Sequence, residues 1–187
     1  MPKANAELFA LTYGALVAEL IRDYDDPIKI NEQLDRIGHS IGVRCVDEFL
    51  SKADTLIGLS PSCATLRDTA EVIAKIGFKM FLGVTADVVN VSSDGKAFSL
   101  YMYDNPLTTF VELPTAEECE AANTCDLSQV QYCNLYCGVS RGALEAVNLR
   151  VECRFVRDVL QGEEVNEIRV ELKEVLVDGA GDDYKEE

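Results

Sequence analysis

The sequence is short of basic residues. It holds 17 Lys and Arg against 33 Asp and Glu, which gives a formal net charge of -16 at pH 7. Because a phosphate backbone would repel such a chain, this composition argues against a nucleic-acid-binding protein. Anionic lipid surfaces would repel it as well. A role at a membrane therefore needs a local basic face, a lipid or partner subunits.

Long hydrophobic runs and a signal-peptide pattern are also lacking. The N-terminus reads MPKANAELF, and the longest uncharged stretches are shorter than the roughly 20 residues that span a bilayer. We therefore expect a soluble protein. The chain has 187 residues, 48% of them hydrophobic, which is enough for one domain with a substantial core.

Histidine occurs once, as His39, in a helical pattern between Ile37 and Ile41. No second histidine and no clear carboxylate partner accompanies it in the sequence, so it would make a poor catalytic base. A surface histidine, or one satisfied by hydrogen bonds, is the expected state. A haem ligand is the remote alternative.

Cysteine occurs seven times, an odd number. Four of these residues fall in apolar periodic segments, where cysteine behaves as a small hydrophobe: Cys45, Cys133, Cys137 and Cys153. We expect a reducing, cytosolic compartment. The four that could suggest zinc are separated by five, seven and three residues, which matches no standard ligand pairing: Cys119, Cys125, Cys133 and Cys137. No metal site is predicted.

Two helices are predicted in the first 50 residues. Residues 8–18 carry no charge, so a helix over residues 7–22 would be apolar almost all round and must be enclosed. Asp26 suits an N-cap and Pro27 a first helical position. The apolar spacing then predicts a second helix that runs to about Leu50.

A third helix is predicted from about Leu66 to Leu82, after a loop over residues 51–64. Thr65 and Asp68 form a capping-box signature at its start. Cys63 lies just upstream, where the positive end of the helix dipole favours a thiolate and hence acylation or oxidation. An unmodified loop cysteine is the alternative.

The remaining pattern predicts two hairpins and one more helix. Strands are expected at residues 84–91 and 97–103 and, beyond a further helix over about residues 127–147, in two alternating segments, 149–155 and 168–172. Residues 105–114 are expected to be irregular, and residues 115–126 to form an acidic loop. This order predicts an α+β fold in which four or so helices pack on a four-stranded antiparallel sheet made of two hairpins.

The predicted domain organisation is simple. Residues 1–6 are expected to form a flexible N-terminus and residues 7–177 a single domain. The acidic tail, residues 178–187, is too polar to pack and is expected to be disordered.

Several stretches together resemble a known family: LTYGALV at 11–17, IGVR at 41–44, TAEVIAKIGFKMFLG at 69–83, NPLTTFVELP at 105–114, and CGVSRGALEAV with VNEIR near the end. They are similar to the small subunits of TRAPP, the transport protein particle, of the blocked-early-in-transport subunit three type. The resemblance covers about residues 7–173. Two departures are a longer loop before Cys63 and additional cysteines at Cys119 and Cys125.

This resemblance implies a non-catalytic subunit of a vesicle-tethering complex that is also a guanine-nucleotide-exchange factor for a Rab GTPase in transport from endoplasmic reticulum (ER) to Golgi. It implies a fold of the NO-signalling and Golgi-transport ligand-binding type, which forms a homodimer or a heterodimer with other TRAPP small subunits. The expected location is cytoplasmic, peripheral to Golgi and ER membranes. In this family the C-terminal segment lies near the GTPase, so the tail is a candidate contact.

The resemblance also implies a hydrophobic channel that holds a palmitate or similar fatty acid on a cysteine just before the third helix. The matching residue is Cys63, and Gly77 matches a small residue that lines the channel. The channel-lining residues expected from that helix are Leu66, Ala70, Ile73 and Gly77. The alternative function is a hydrophobic small-molecule-binding module, or a thiol-dependent enzyme, of the same fold.

Overall fold

The computed structural model describes residues 5–57 and 65–176, without the side chains of residues 53–57. Its α-helices are α1 (Ala6–Tyr24), α2 (Pro27–Ile57), α3 (Leu66–Val72), α4 (Phe78–Phe81), α5 (Ala116–Ala122) and α6 (Leu135–Glu145). Its strands are β1 (Asp87–Val89), β2 (Ala97–Met102), β3 (Leu149–Arg157) and β4 (Asn166–Val175). A π-helical turn, Ile73–Gly77, joins α3 to α4. Cys63 and the tail, residues 178–187, lie outside the described residues.

The four strands form one antiparallel sheet in the order β1-β2-β4-β3. Two hairpins supply it, and the predicted α+β fold is confirmed. The predicted alternation of β2 places Phe98, Leu100 and Met102 in the core. β1 is shorter than predicted because Ala86 N donates to Ala74 O at 3.0 Å and Asn90 takes a left-handed conformation with φ 51°. Both ends of the expected strand thus leave the ladder.

Helix α1 begins at an N-cap, because the side chain of Asn5 accepts from Leu8 N at 2.9 Å. The expected enclosure of this helix is wrong for the single chain. Its buried residues form one stripe at helical spacing: Ala10, Tyr13 and Val17. Leu8 and Leu11 on other faces are 65% and 59% exposed. Helix α1 therefore presents apolar side chains on the surface of the single chain.

Helix α2 starts as predicted. Asp26 Oδ1 accepts from Ile28 N at 3.0 Å, and Pro27 is the first helical residue. The predicted end at about Leu50 is wrong, because the helix continues to Ile57. Residues 51–57 contain no Gly or Pro that would stop the helix, and Ser51 Oγ donates back to Glu48 O at 2.9 Å. The first part of the predicted loop is thus helical.

Helix α3 has the predicted capping box. Thr65 Oγ1 accepts from Asp68 N at 3.1 Å, and Asp68 Oδ2 accepts from Thr65 N at 3.0 Å. The helix is not continuous to Leu82, however. In the π-helical turn Phe78 N–H donates to Ile73 O, five residues back. This wider turn was not predicted, because apolar spacing does not distinguish it from an α-helical turn.

Two predictions for residues 115–147 are wrong. The expected acidic loop contains α5, which starts with a capping box formed by Thr115 and Glu118. The expected helix from residue 127 begins only at Leu135, since Val130 leaves helical geometry with ψ 120°. Val130, Tyr132 and Cys133 are buried, so their apolar character reflects core packing rather than helical periodicity.

Candidate functional site

A cavity of about 840 Å³ lies among α1, α2, α6 and the segment from α3 to α4. Protein pockets that hold small molecules have volumes of about 300–1,000 Å³. Its wall is almost wholly apolar, and the larger contributors are Phe9, Leu16, Ile37, Ile41, Phe49, Leu50, Val72, Ile73, Phe78, Phe81, Leu82, Leu135, Val139, Leu144 and Val147. The space suits a long apolar molecule.

The wall between α2 and α6 is built on glycine. A Cβ on Gly142 would overlap the carbonyl oxygen of His39, and a Cβ on Gly138 would overlap that of Asp35. The same holds in reverse for two glycines of α2, Gly38 and Gly42, against the carbonyl oxygens of Leu135 and Val139. The backbones of α2 and α6 are therefore in direct contact, with no side chains between them.

The opposite wall is the π-helical turn. Ile73 and Gly77 line the cavity, as does Thr69 one turn earlier. A Cβ at Gly77 would find only Val72 O within 4 Å, at 3.9 Å. Gly77 thus leaves open space where another residue would place a side chain.

The other expected channel residues lie elsewhere on α3. Ala70 is fully buried in the hydrophobic core, and Leu66 packs half-buried against that core. The structure thus brings two residues of the expected set to the cavity and places two in the packing beside it. The expected acylation residue, Cys63, lies outside the described residues.

The cavity is partly open to the surface. Six of its large apolar lining side chains remain between 37% and 53% exposed: Phe9, Leu16, Ile41, Leu50, Phe81 and Val147. They come from α1, α2, α4 and the turn after α6. Sequence reasoning missed the contributions of α1, α2 and α6. The charge-free stretch of α1 was the available signal, because such a stretch must face something apolar.

Two tyrosine hydroxyl groups in the wall are hydrogen-bonded within the protein. Tyr13 Oη donates to Tyr132 O at 2.5 Å, and Tyr136 Oη donates to Asn105 Oδ1 at 3.2 Å. Burial raises the pKa of both donor tyrosines far above the usual range. Burial also raises the pKa of the Cys45 thiol at the cavity. These groups therefore stay neutral at physiological pH.

His39 belongs to an ion-pair cluster that joins α2 to α6. Its Nε2 atom lies 2.5 Å from Glu145 Oε2, and Arg141 pairs with Asp35. The expected satisfied histidine is what the structure shows. Its carboxylate partner was invisible in the sequence because it lies 106 residues away.

The described cysteines are free thiols held in packing. Cys119 Sγ accepts from Leu127 N at 3.4 Å, and Cys133 Sγ accepts from Asn105 Nδ2 at 3.2 Å. Burial raises the pKa of Cys153 to about 12. Over residues 5–57 and 65–176, no group of three or more His, Cys, Asp or Glu side chains could hold a metal ion. Within the same ranges, no helix is long and apolar enough to cross a membrane.

Known structures share this fold. The crystal structure of a trafficking protein particle complex subunit 3 from Naegleria fowleri, covalently bound to palmitic acid, matches with a TM-score of 0.80 and 47% identity over 92% of this chain and 98% of that chain. The phenol-responsive sensory domain of the transcription activator PoxR matches with a TM-score of 0.56 and 14% identity over 92% of this chain and 76% of that chain. The second likeness concerns the fold alone.

Sequence relatives give a consistent picture. Trafficking protein particle complex subunit 3 of Dictyostelium discoideum is 47% identical over 94% of this chain and 87% of its own length. Transport protein particle subunit bet3 of Schizosaccharomyces pombe is 45% identical over 93% of this chain and 87% of its own length. A sequence model of the transport protein particle (TRAPP) component family matches residues 9–171. The chain belongs to the TRAPP component family, in which these two relatives are named subunit 3 and subunit bet3.

Proposed function

We propose that the chain is a non-catalytic subunit of a vesicle-tethering complex and that its cavity holds palmitate or a similar fatty acyl chain joined to Cys63. The observation that carries this proposal is the apolar cavity of about 840 Å³ bounded by four helical segments. The Naegleria fowleri relative with covalently bound palmitic acid supports it.

The position of Cys63 in the sequence suits this attachment. It precedes Thr65, the N-cap of α3, by two residues, and two residues span at most about 7 Å. Thr69, one turn into the helix, already lines the cavity. A thioester at Cys63 is therefore within reach of the space that its acyl chain would fill.

The energetics favour a structural role for the lipid. At about 0.8 kcal/mol for each buried CH₂, a palmitoyl chain inside the cavity contributes on the order of 10 kcal/mol. The same chain would gain a similar amount in a bilayer, and it cannot occupy both places. We infer that the acyl chain fills the protein, and that attachment to Golgi and ER membranes comes from the assembled complex.

Intact mass spectrometry of native protein tests the attachment. We expect a mass increment of one acyl group that hydroxylamine removes and that Cys63→Ser abolishes, together with a lower melting temperature. Cys45→Ser is the matched control, because Cys45 also lines the cavity but its pKa is raised by burial. An unmodified native mass, or an increment that follows Cys45 instead, would contradict the proposal.

The exposure of several lining side chains supports a second candidate, a module that binds a hydrophobic small molecule reversibly. In that case organic extraction without hydroxylamine should release a ligand from protein of unmodified mass. The same measurement thus separates the two candidates. A thiol-dependent enzyme is less favoured, because the described wall pairs Cys45 with no acid or base.

The exposed face of α1 supports assembly with another TRAPP small subunit. Leu8 and Leu11 on this face are more than half exposed in the single chain. In the proposed complex this subunit contributes to nucleotide exchange on a Rab GTPase in ER-to-Golgi transport. Leu11→Glu should reduce co-purification of other subunits, whereas Val175→Glu, at an equally exposed position at the end of β4, should not. Equal co-purification would exclude this face.

A further inference from the structure

A second hollow, a groove of about 520 Å³, runs beside β3. Four consecutive residues of that strand, 151–154, line one side of it. Helix α2 lines the other side with Ile28, Glu32 and Asp35, and Arg141 of α6 also lines the groove. The groove is therefore bounded by a strand on one side and a helix on the other.

Strand β3 is an edge of the sheet. The order β1-β2-β4-β3 leaves it paired only with β4 within the described ranges. It has nine residues, whereas the other edge strand, β1, has three. An edge strand presents N–H and C=O groups to which another strand can pair, and long edges are usually covered.

Two irregularities mark out the part of β3 that could accept a strand. The register with β4 shifts between Arg150 and Val151 and again between Phe155 and Arg157. Such bulges interrupt pairing. The stretch between them is regularly paired with β4 and contains the four residues that line the groove, so the strand there has the regular extended geometry that a further strand needs.

The charges of the groove are unbalanced. Asp35 pairs with Arg141, and on β3 Arg154 and Glu152 pair with Glu171 and Lys173 at 2.9 and 2.7 Å. Glu32 is exposed and takes part in no ion pair among the residues that the structure describes. The one charge left over in the groove is therefore negative.

Apolar contact is available beside this charge. Ile28 on the helical side is 70% exposed, and Cys153 on the strand is half-buried. An extended peptide alternates its side chains, so it can place apolar groups toward the groove while its backbone pairs with the strand.

We propose that this groove binds an extended segment of a partner protein, which adds as a strand to β3 and places a lysine or arginine opposite Glu32. Strand addition in a groove between an edge strand and a helix is an established mode of peptide recognition, in which the main chain gives affinity and side-chain pockets give specificity. The lining of this groove includes charged and polar side chains, whereas the wall of the larger cavity is almost wholly apolar, so the two are different sites. The inference does not depend on acylation.

The test uses the full chain and a designed probe, acetyl-Lys-Val-Lys-Val-Lys-Val-Lys-amide, with backbone hydrogen exchange as the readout. We expect saturable protection of amides in residues 151–154. Glu32→Lys should weaken binding about tenfold, because it replaces an attraction by a repulsion. Glu163→Lys, the same charge change at an exposed turn outside the groove, should leave binding unchanged.

A second peptide separates strand addition from charge attraction. Replacing each valine of the probe by proline keeps the charge but removes N–H donors and extended pairing, so protection of residues 151–154 should disappear. Equal binding of this peptide, or equal binding by Glu32→Lys, would overturn the proposal. So would an absence of protection at saturating probe. Protection of the same amides that rises with protein concentration alone would assign the edge to a second copy of the chain and overturn it as well.

Discussion

Helix α2 is packed in opposite ways on its two sides. Toward α6, glycines on both helices bring the backbones into contact and leave no space. Toward α1 and α4, Ile37, Ile41 and Cys45 face a cavity of about 840 Å³. Protein interiors are normally close-packed, and an unfilled apolar space is costly. The proposed acyl chain would account for a hollow of this size beside so tight a contact.

A protein side chain that fills the cavity should have the largest effect on acylation and stability. Gly77→Leu places a side chain in the cavity, where the acyl chain is proposed to lie. We expect the variant to lose the acyl group and with it up to about 10 kcal/mol of lipid-dependent stabilisation. Intact mass and the denaturant midpoint of the protein as purified measure the two losses.

Gly77→Ala is the matched control. Its Cβ has ordinary contact with Val72 O at 3.9 Å and extends no further into the space. It should keep the acyl group. If Gly77→Leu also keeps the full increment and the same midpoint, the acyl chain does not lie in this cavity.

The closely packed side should respond to a single methyl group. In Gly142→Ala the new Cβ meets the carbonyl oxygen of His39, which is fixed in the backbone of α2. The helices must separate, and we expect the free energy of unfolding to fall by about 1–3 kcal/mol. Urea denaturation measures this loss. The same exchange at Gly77 should cost less, and equal losses would show that the contrast between the two sides of α2 is not real.

Local signals in the sequence were sufficient for much of the fold. Asp26 and the pair Thr65 and Asp68 set helix starts through contacts within three residues, and such contacts are visible in sequence. The pair Thr115 and Glu118 carried the same signature, but the surrounding acidic residues led to the prediction of a loop. The π-helical turn could not be predicted, because apolar spacing does not distinguish it from an α-helical turn.

The candidate site was less accessible to sequence reasoning. Ile73 and Gly77 came from the family resemblance, and both line the cavity. Apolar periodicity shows which side chains avoid water, but it does not show whether their neighbours fill the space between them. The walls from α1, α2 and α6 therefore required the three-dimensional structure. The role of Cys63 stays a prediction.

The smallest expected effect comes from a carboxyl group in the filled part of the core. Asp158 Oδ1 accepts from Leu160 N at 2.9 Å, whereas its Oδ2 atom is buried and has no hydrogen-bond partner among the described residues. Burial raises the pKa of Asp158 above its ordinary value of 3.8. The folded state thus binds this proton more tightly than the unfolded state does, so stability falls as pH rises from about 3.8 through the folded pKa.

Asp158→Asn should therefore be more stable than the parent at pH 7, because the amide oxygen can still accept from Leu160 while the buried charge is gone. The difference should shrink as pH falls through the folded pKa toward 3.8 and be lost below that value, which urea midpoints at several pH values will measure. Asp94→Asn is the control of opposite sign. The Ser92 hydroxyl and the backbone of Lys96 lower the pKa of Asp94, so this exchange should destabilise at neutral pH and lose its effect in acid. If the two variants shift stability in the same direction at pH 7, burial does not set the pKa of Asp158. Water would then reach this carboxyl group in the folded protein.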